Sequence, residues 1–324
     1  MEKVSRILLS DAEKALILQE FGIDVNSDLL DPRLDFVAKR IFTADSMESK
    51  TALISFLNAM ICLSGKGRIT DLTVINTEVP VDDIKYKKSI FDIRAKFSTG
   101  EQAIIEVEFR NRGNFKKRGQ FLISKAYSSQ SLSGKTYADL KKCCFIGILG
   151  FTLFPDSEDY YHNYMYRNIH GVPLTDDHNI IFVELTKIAG LLKKPVEELT
   201  DAECWALFFR YAADKNNRDV INKILEKKEG IRMAGQILEA ISQDEMERMI
   251  QDARLIHEVD QRSDREEARR EGWQAGRQEG IQTGKQVGWQ EGVIQIAKNL
   301  KASGLPLELI SQNTGISIEE LAAL

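Results

Sequence analysis

Alternation of apolar and polar positions is strictest over residues 89–97, Ser-Ile-Phe-Asp-Ile-Arg-Ala-Lys-Phe, and over residues 103–109, Ala-Ile-Ile-Glu-Val-Glu-Phe. A period of two, interrupted at Ser98-Thr99-Gly100, predicts a β-hairpin. Successive strand side chains point to opposite faces, so Ile90, Asp92 and Arg94 share one face and Phe91, Ile93 and Ala95 the other. On the second strand Ile104, Glu106 and Glu108 share a face. A turn centred near Thr99 and Gly100 sets Asp92 roughly opposite Val107, with Glu106 and Glu108 as its cross-strand neighbours. Around this hairpin the period lengthens. Helices are expected over residues 35–43, over 49–61 with Leu53, Phe56, Leu57 and Met60 on one face, and over 118–131. A first strand is expected over 69–79. The apolar runs 143–154 and 179–185 suit strands of a sheet covered on both sides. This order describes an α/β core with a mixed central sheet flanked by helices, continued by an α-helical C-terminal extension.

The hairpin also carries the chemistry. Burying a carboxylate is costly unless a cation or a set of donors compensates it. Asp92, Glu106 and Glu108 stand on the faces that also carry Ile90 and Ile104, so these acids are not on a fully solvated surface. Three carboxylates on one face make a hard-oxygen site of the kind that holds Mg²⁺.

Asp92 followed by Glu106-Val107-Glu108 on the next strand resembles the PD-(D/E)xK nuclease motif. The flanking blocks sharpen the likeness: residues 30–42 (Leu-Asp-Pro-Arg-Leu-Asp-Phe-Val-Ala-Lys-Arg-Ile-Phe), 54–59, 88–95, 105–107, Arg118, 127–132, Gly134, Tyr137, Leu140 and 146–149. Together they resemble the Rpn-type recombination-promoting nucleases, a family also described as PD-(D/E)xK transposase-like, over about residues 28–260. The resemblance implies a restriction-endonuclease-like fold and a metal-dependent DNA endonuclease linked to recombination or mobile DNA. It implies Mg²⁺, or another divalent cation such as Mn²⁺, held by Asp92, Glu106 and the carbonyl of Val107, with Glu108 as a further ligand or as a base on water. The motif's last position is commonly Lys or Gln in such proteins, and here it is Glu108. A cation at the phosphate must then come from elsewhere. Lys88, four residues before Asp92 on the same strand face, is the first candidate and Arg118 the second. The same departure leaves a second reading, a catalytically degraded nuclease fold that binds DNA or protein without cleaving it.

The chain has 324 residues, 43% of them hydrophobic and 29% charged, enough for one large domain and an appendage. The formal net charge of −5 rules out a global basic field, so DNA must be met locally. Arg110, Arg112, Lys116, Lys117 and Arg118 fall within nine residues that contain no acid. Such a patch positions a phosphate backbone without reading sequence, or forms a solvated helix start. The four cysteines show no CxxC pattern and read as core thiols; the four histidines lack metal-ligand spacing. The N-terminus lacks a long apolar signal core and no apolar run approaches the ~20 residues that span a bilayer. A cytoplasmic protein without membrane contact is expected.

Four regions follow: a nuclease-like core over 1–192, a helical extension over 193–259, a charged helix and glycine repeat over 260–292, and a small helix-turn-helix-like tail over 293–324. Helices are expected over 196–213 and 220–256. Gly272, Gly276, Gly280, Gly284, Gly288 and Gly292 recur every four residues. In a helix each costs about 0.5–1 kcal/mol relative to Ala, on the order of 3–6 kcal/mol in all. Either close packing against another helix offsets that, giving a homodimer or regulatory contact through residues 260–324, or the repeat is a linker. The last helix carries Glu319 and Glu320 and no Lys or Arg, so it suits a protein contact better than base readout.

Overall fold

The computed structural model describes residues 27–63, 65–75, 93–111, 113–130 and 136–324. Lys88, Asp92 and Arg112, the expected strand residues 76–79 and 89–92, and the N-terminal residues 1–26 lie outside them. Two compact units emerge, residues 1–255 and 256–324.

In the first unit, α1 (Asp35–Thr43) and α2 (Met47–Met60) precede the short strand β1 (Leu72–Val74). The hairpin follows as β2 (Ile93–Phe97) and β3 (Gln102–Glu108), then α3 (Phe115–Ser128), β4 (Cys143–Leu149), β5 (Tyr161–Tyr164) and β6 (His178–Glu184). The six strands make one mixed sheet in the order β1-β2-β3-β4-β6-β5. β3, β4 and β6 run parallel, and β1, β2 and β5 are antiparallel to their neighbours. Helices α4 (Asp201–Tyr211), α5 (Arg218–Lys227) and α6 (Glu229–Ser242) complete the unit.

Both faces of the sheet are covered. Ile93, Ala95, Ile105, Val107, Ile146, Ile148 and Val183 join a large core with α1, α2, α4 and α6. Phe42, Phe56, Trp205 and Phe209 meet there with ring centroids 5.0–6.2 Å apart. Ile104, Phe145 and Phe182 face the other way, against Phe115, Leu122 and Ile123 of α3. The continuous apolar runs of β4 and β6 follow from this double burial.

Several boundaries differ from the sequence reading. Ile93 pairs with Ile105, so the hairpin register is one residue away from the expected one. The turn centres on Thr99: Lys96 pairs with Gln102, and Gly100 takes φ +95°, a conformation open to glycine. Helix α3 begins at Phe115 rather than 118 because Phe115 is buried in the smaller core. Strand β4 stops at Leu149 because Gly150 passes over the end of β3; a Cβ there would stand 2.7 Å from the Phe109 carbonyl oxygen. The helix expected over 220–256 is broken: Lys228 is extended, and Gly230 packs so tightly that a Cβ would lie 2.1 Å from that of Ser55. Strand β5, half exposed and polar at the sheet edge, was hidden in a tyrosine- and histidine-rich stretch. Cys143, Cys144 and Cys204 are buried as expected, whereas Cys62 is exposed at the end of α2.

Helix α7 (Glu245–Ala302) includes all six repeat glycines. With α8 (Leu307–Thr314) and α9 (Ile318–Ala323) it closes a small core of Ala297, Ile310 and Leu321. Ser317 and Glu320 form a capping box at the start of α9.

Candidate active site

The acids predicted on the second hairpin strand stand on an interior strand, β3, paired to β2 on one side and β4 on the other. Glu106 is 1% exposed, and Glu108 is half-buried at the strand's end. Parallel pairing sets Glu106 beside Gly147 of β4. A side chain at Gly147 would strike Phe115 and Phe182, 2.9 and 3.1 Å from its Cβ. The missing side chain admits the Phe115 ring, and Phe115 in turn fixes the first turn of α3. Arg118, three residues later on the same helical face, then reaches the acids. Its Nη2 donates a short hydrogen bond to Glu106 Oε2, and its Nη1 lies 3.6 Å from Glu108 Oε2. One guanidinium therefore bridges both carboxylates and gives the buried Glu106 its compensating charge.

This pairing accounts for an anomaly in α3. Its first turn carries Lys116, Lys117 and Arg118 and no acid, although the positive end of a helix dipole disfavours cations. Asn114 precedes it in a left-handed conformation, with no side-chain cap. The first-turn cations have other partners instead. Arg118 holds Glu106 and Glu108. The Lys116 ammonium sits 4.2 Å from the centroid of the Phe154 ring. Lys117 is exposed, and Arg110 is half-buried with Nε and Nη2 enclosed. The five expected phosphate contacts are thus not equivalent: Arg118 is engaged with the acids, and Lys117 is open to solvent.

Two further groups brace this sheet edge, and sequence reasoning missed both. Arg33 is buried in an ion pair with Asp31 at 2.5 Å, and its guanidinium lies 5.0 Å from the Phe109 centroid, at the residue after Glu108. On the far side, Glu184 ends β6 in register with Leu149, which itself pairs with Glu108. The Glu184 carboxylate is fully buried. It accepts from the N–H groups of Leu153 and Phe154, from Lys187 Nζ at 2.7 Å, and meets His162 Nε2 at 2.9 Å. Burial pushes its pKa up, but the Lys187 ammonium, the two N–H groups and His162 outweigh that and hold it below the usual carboxylate range. Lys187 also donates to the carbonyls of Phe154 and Ser157. The cluster pins residues 153–157 against the end of β6. Its signal in the sequence was a lone acid at the end of an apolar strand, Glu184, followed by Lys187 three residues on.

The donor chemistry fits a hard divalent cation. Glu106, Glu108 and the Val107 carbonyl offer oxygen donors on consecutive residues, and Mg²⁺ keeps several waters and needs only one or two carboxylates from a protein. No group of three or more His, Cys, Asp and Glu gathers among the described residues, so the protein's described share of such a site is the Glu106–Glu108 pair.

A mixed sheet covered by helices on both faces, with acids at the end of an interior strand, is an α/β architecture consistent with PD-(D/E)XK nucleases. The chain belongs to the PD-(D/E)XK nuclease family transposase family, whose model matches residues 32–268. No curated protein and no solved structure matches it. It is thereby related to nucleases of mobile DNA. Among the described residues no helix is long and apolar enough to cross a membrane.

Proposed function

We propose that this protein is a metal-dependent DNA endonuclease that hydrolyses phosphodiester bonds during recombination or transposition, acting in the cytoplasm. The observation that carries the reading is Glu106, a buried carboxylate on an interior strand whose charge is balanced by the partly exposed Arg118. In this reading Asp92, Glu106, Glu108 and the Val107 carbonyl hold Mg²⁺ or Mn²⁺. Such an ion draws charge from the attacked phosphate and makes water a better nucleophile. Glu106 anchors the ion, being fixed by burial. Glu108, more open, would serve as a further ligand to the ion or as the base that takes a proton from the attacking water. Lys88, outside the described residues, is the first candidate for the cation that the Lys of related motifs would supply. With the carboxylates holding an ion, Arg118 would be released to contact the DNA backbone together with Arg110, Arg112, Lys116 and Lys117.

A second reading draws on the same arginine. Arg118 already neutralises both acids, as it would in a nuclease fold retained as a DNA- or protein-binding scaffold. Supercoiled plasmid with and without Mg²⁺ or Mn²⁺ separates the two. An endonuclease nicks it only with metal, and Asp92→Ala or Glu106→Ala abolishes nicking while circular dichroism shows the protein still folded. Activity that persists in both variants removes the site assignment; wild-type protein that binds DNA and never cuts it supports the scaffold.

A further inference from the structure

Strand β5 carries no aliphatic residue: it reads Tyr161-His162-Asn163-Tyr164 at the edge of the sheet. His162 and Tyr164 pair with Phe182 and Ile180 of β6, whose side chains join the core under α3. Alternation puts both rings on the sheet face that also carries Glu106 and Glu108. Helix α3 covers β3, β4 and β6 on that face. Strand β5 lies one place further out, and its Tyr164 is 46% exposed.

These rings form an ordered array. Phe154, from the loop before β5, has its centroid 4.3 Å from His162 and 5.5 Å from Tyr164, and it stacks on the tyrosine at 30°. The planes of His162 and Tyr164 differ by only 16°. Lys116 of α3 stands over the Phe154 ring, Glu184 holds His162 at 2.9 Å, and Phe182 meets both Phe154 and Tyr164. The array is set in place by its neighbours, so a ligand that stacks on it has little side-chain freedom to freeze out. Flat rings with polar tips suit a wet ligand with π-faces; an apolar helix would need aliphatic surface. Charge sets the direction of such a ligand. The loop before β5 exposes Asp156, Glu158 and Asp159, which repel phosphates, and α3 exposes Lys116 and Lys117, which attract them.

We propose that Tyr164, backed by Phe154 and His162, is a stacking platform for an unpaired base of a DNA strand whose backbone follows Lys116 and Lys117 of α3. This rests on the reading of the protein as one that acts on DNA, and it adds a substrate class: DNA with a single-stranded or unpaired segment near the point of cutting. Stacking on an aromatic ring accepts any base, because every base has a π-face. The sheet supplies the reach. Glu106, Gly147, Phe182 and His162 stand in register across four strands, and Tyr164 is two residues further along β5. Strand spacings place Tyr164 about 16 Å from Glu106, about five base steps at ~3.4 Å each.

Binding is measured in EDTA, so that no cleavage intervenes, with a single-stranded oligonucleotide carrying 2-aminopurine, a base whose fluorescence falls when it stacks. Wild type quenches the probe. Tyr164→Ala weakens binding about 5- to 150-fold, the range of one lost base–aromatic stack, and loses the quenching. Tyr164→Phe keeps the ring and restores both. A fully paired duplex of the same sequence binds all three proteins alike, because its bases are already stacked on one another. Tyr164→Ala that binds and quenches like wild type overturns the proposal, as does a wild type that leaves the probe bright. A loss shared equally by the duplex also overturns it, since the defect then lies outside stacking. Plasmid nicking with Mg²⁺ judges the nuclease reading separately. A protein that quenches the probe and never nicks keeps the platform and loses the endonuclease; one that nicks without quenching does the reverse.

Discussion

Removing Arg118 is the sharpest perturbation of this site. Its guanidinium bridges Glu106 and Glu108, and Glu106 is 1% exposed. Breaking a fully buried pair by deleting one partner costs about 3–5 kcal/mol, chiefly from the charge left unpaired. The Arg118 side chain is 43% exposed, so solvent already screens part of the interaction, and about 1–3 kcal/mol is the reasonable loss for Arg118→Ala. In a unit of this size each kcal/mol lowers the melting temperature by about 2–4 °C. The companion variant Glu106→Gln/Arg118→Met removes the buried pair together and should recover part of that loss, since only Glu108, with 13% of its side chain exposed, then lacks the guanidinium. Metal adds an independent readout. On the proposed reading a divalent ion would have to displace the guanidinium from the two carboxylates in the wild type, whereas in Arg118→Ala it would meet uncompensated charge. Ligand at a hundred times its dissociation constant stabilises by about 2.7 kcal/mol, so a Mg²⁺ titration followed by thermal melting should raise Arg118→Ala more steeply than wild type. Arg118→Ala melting like wild type, and responding to Mg²⁺ like wild type, would refute the account of Glu106 as a buried charge held by Arg118.

Other outcomes follow from the same structure. Lys117 is exposed, and Lys117→Ala should reduce the salt slope of DNA binding by about one unit, equally for unrelated sequences; an unchanged slope leaves Lys117 a solvated residue. Burial pushes the thiols of Cys143, Cys144 and Cys204 up to about 11, 12 and 11, so a thiol reagent should label Cys62 alone in the native protein and all four cysteines after unfolding. The Glu184 carboxyl lies below its ordinary 4.5 when folded. Its stabilisation is therefore present above that value and lost as pH falls through the folded one. Stability measured by urea unfolding should decline below about pH 4.5, less steeply in Glu184→Gln.

Much of this was legible because burial imposes period. The acid-bearing strand, its apolar partners at residues 143–149 and 178–184, and the helices around them follow from alternation and from runs too apolar for an exposed sheet. Register was not legible, because one residue of turn length shifts every pair and the turn conformation hangs on Gly100 alone. The break at Lys228 escaped because nothing local dictates it; the close approach of Gly230 to Ser55 is tertiary. Arg118 was read as a phosphate contact or a spare cation. Three cations in a helix's first turn imply carboxylates nearby, since the dipole there repels them. The Glu184 cluster depends on β5, an edge strand whose polar half-exposure mimics a loop.

Strand β3 is held on both sides, by β2 and by β4. A strand so placed cannot open without tearing two ladders, so its amides should be among the slowest to exchange with solvent. Glu106 and Glu108 are in that sense fixed points, with no hinge of their own. On the proposed reading, a duplex cut at them would have to adapt its own shape to theirs. The ease with which a base step can be distorted then becomes a selector among targets, even where no side chain reads a base.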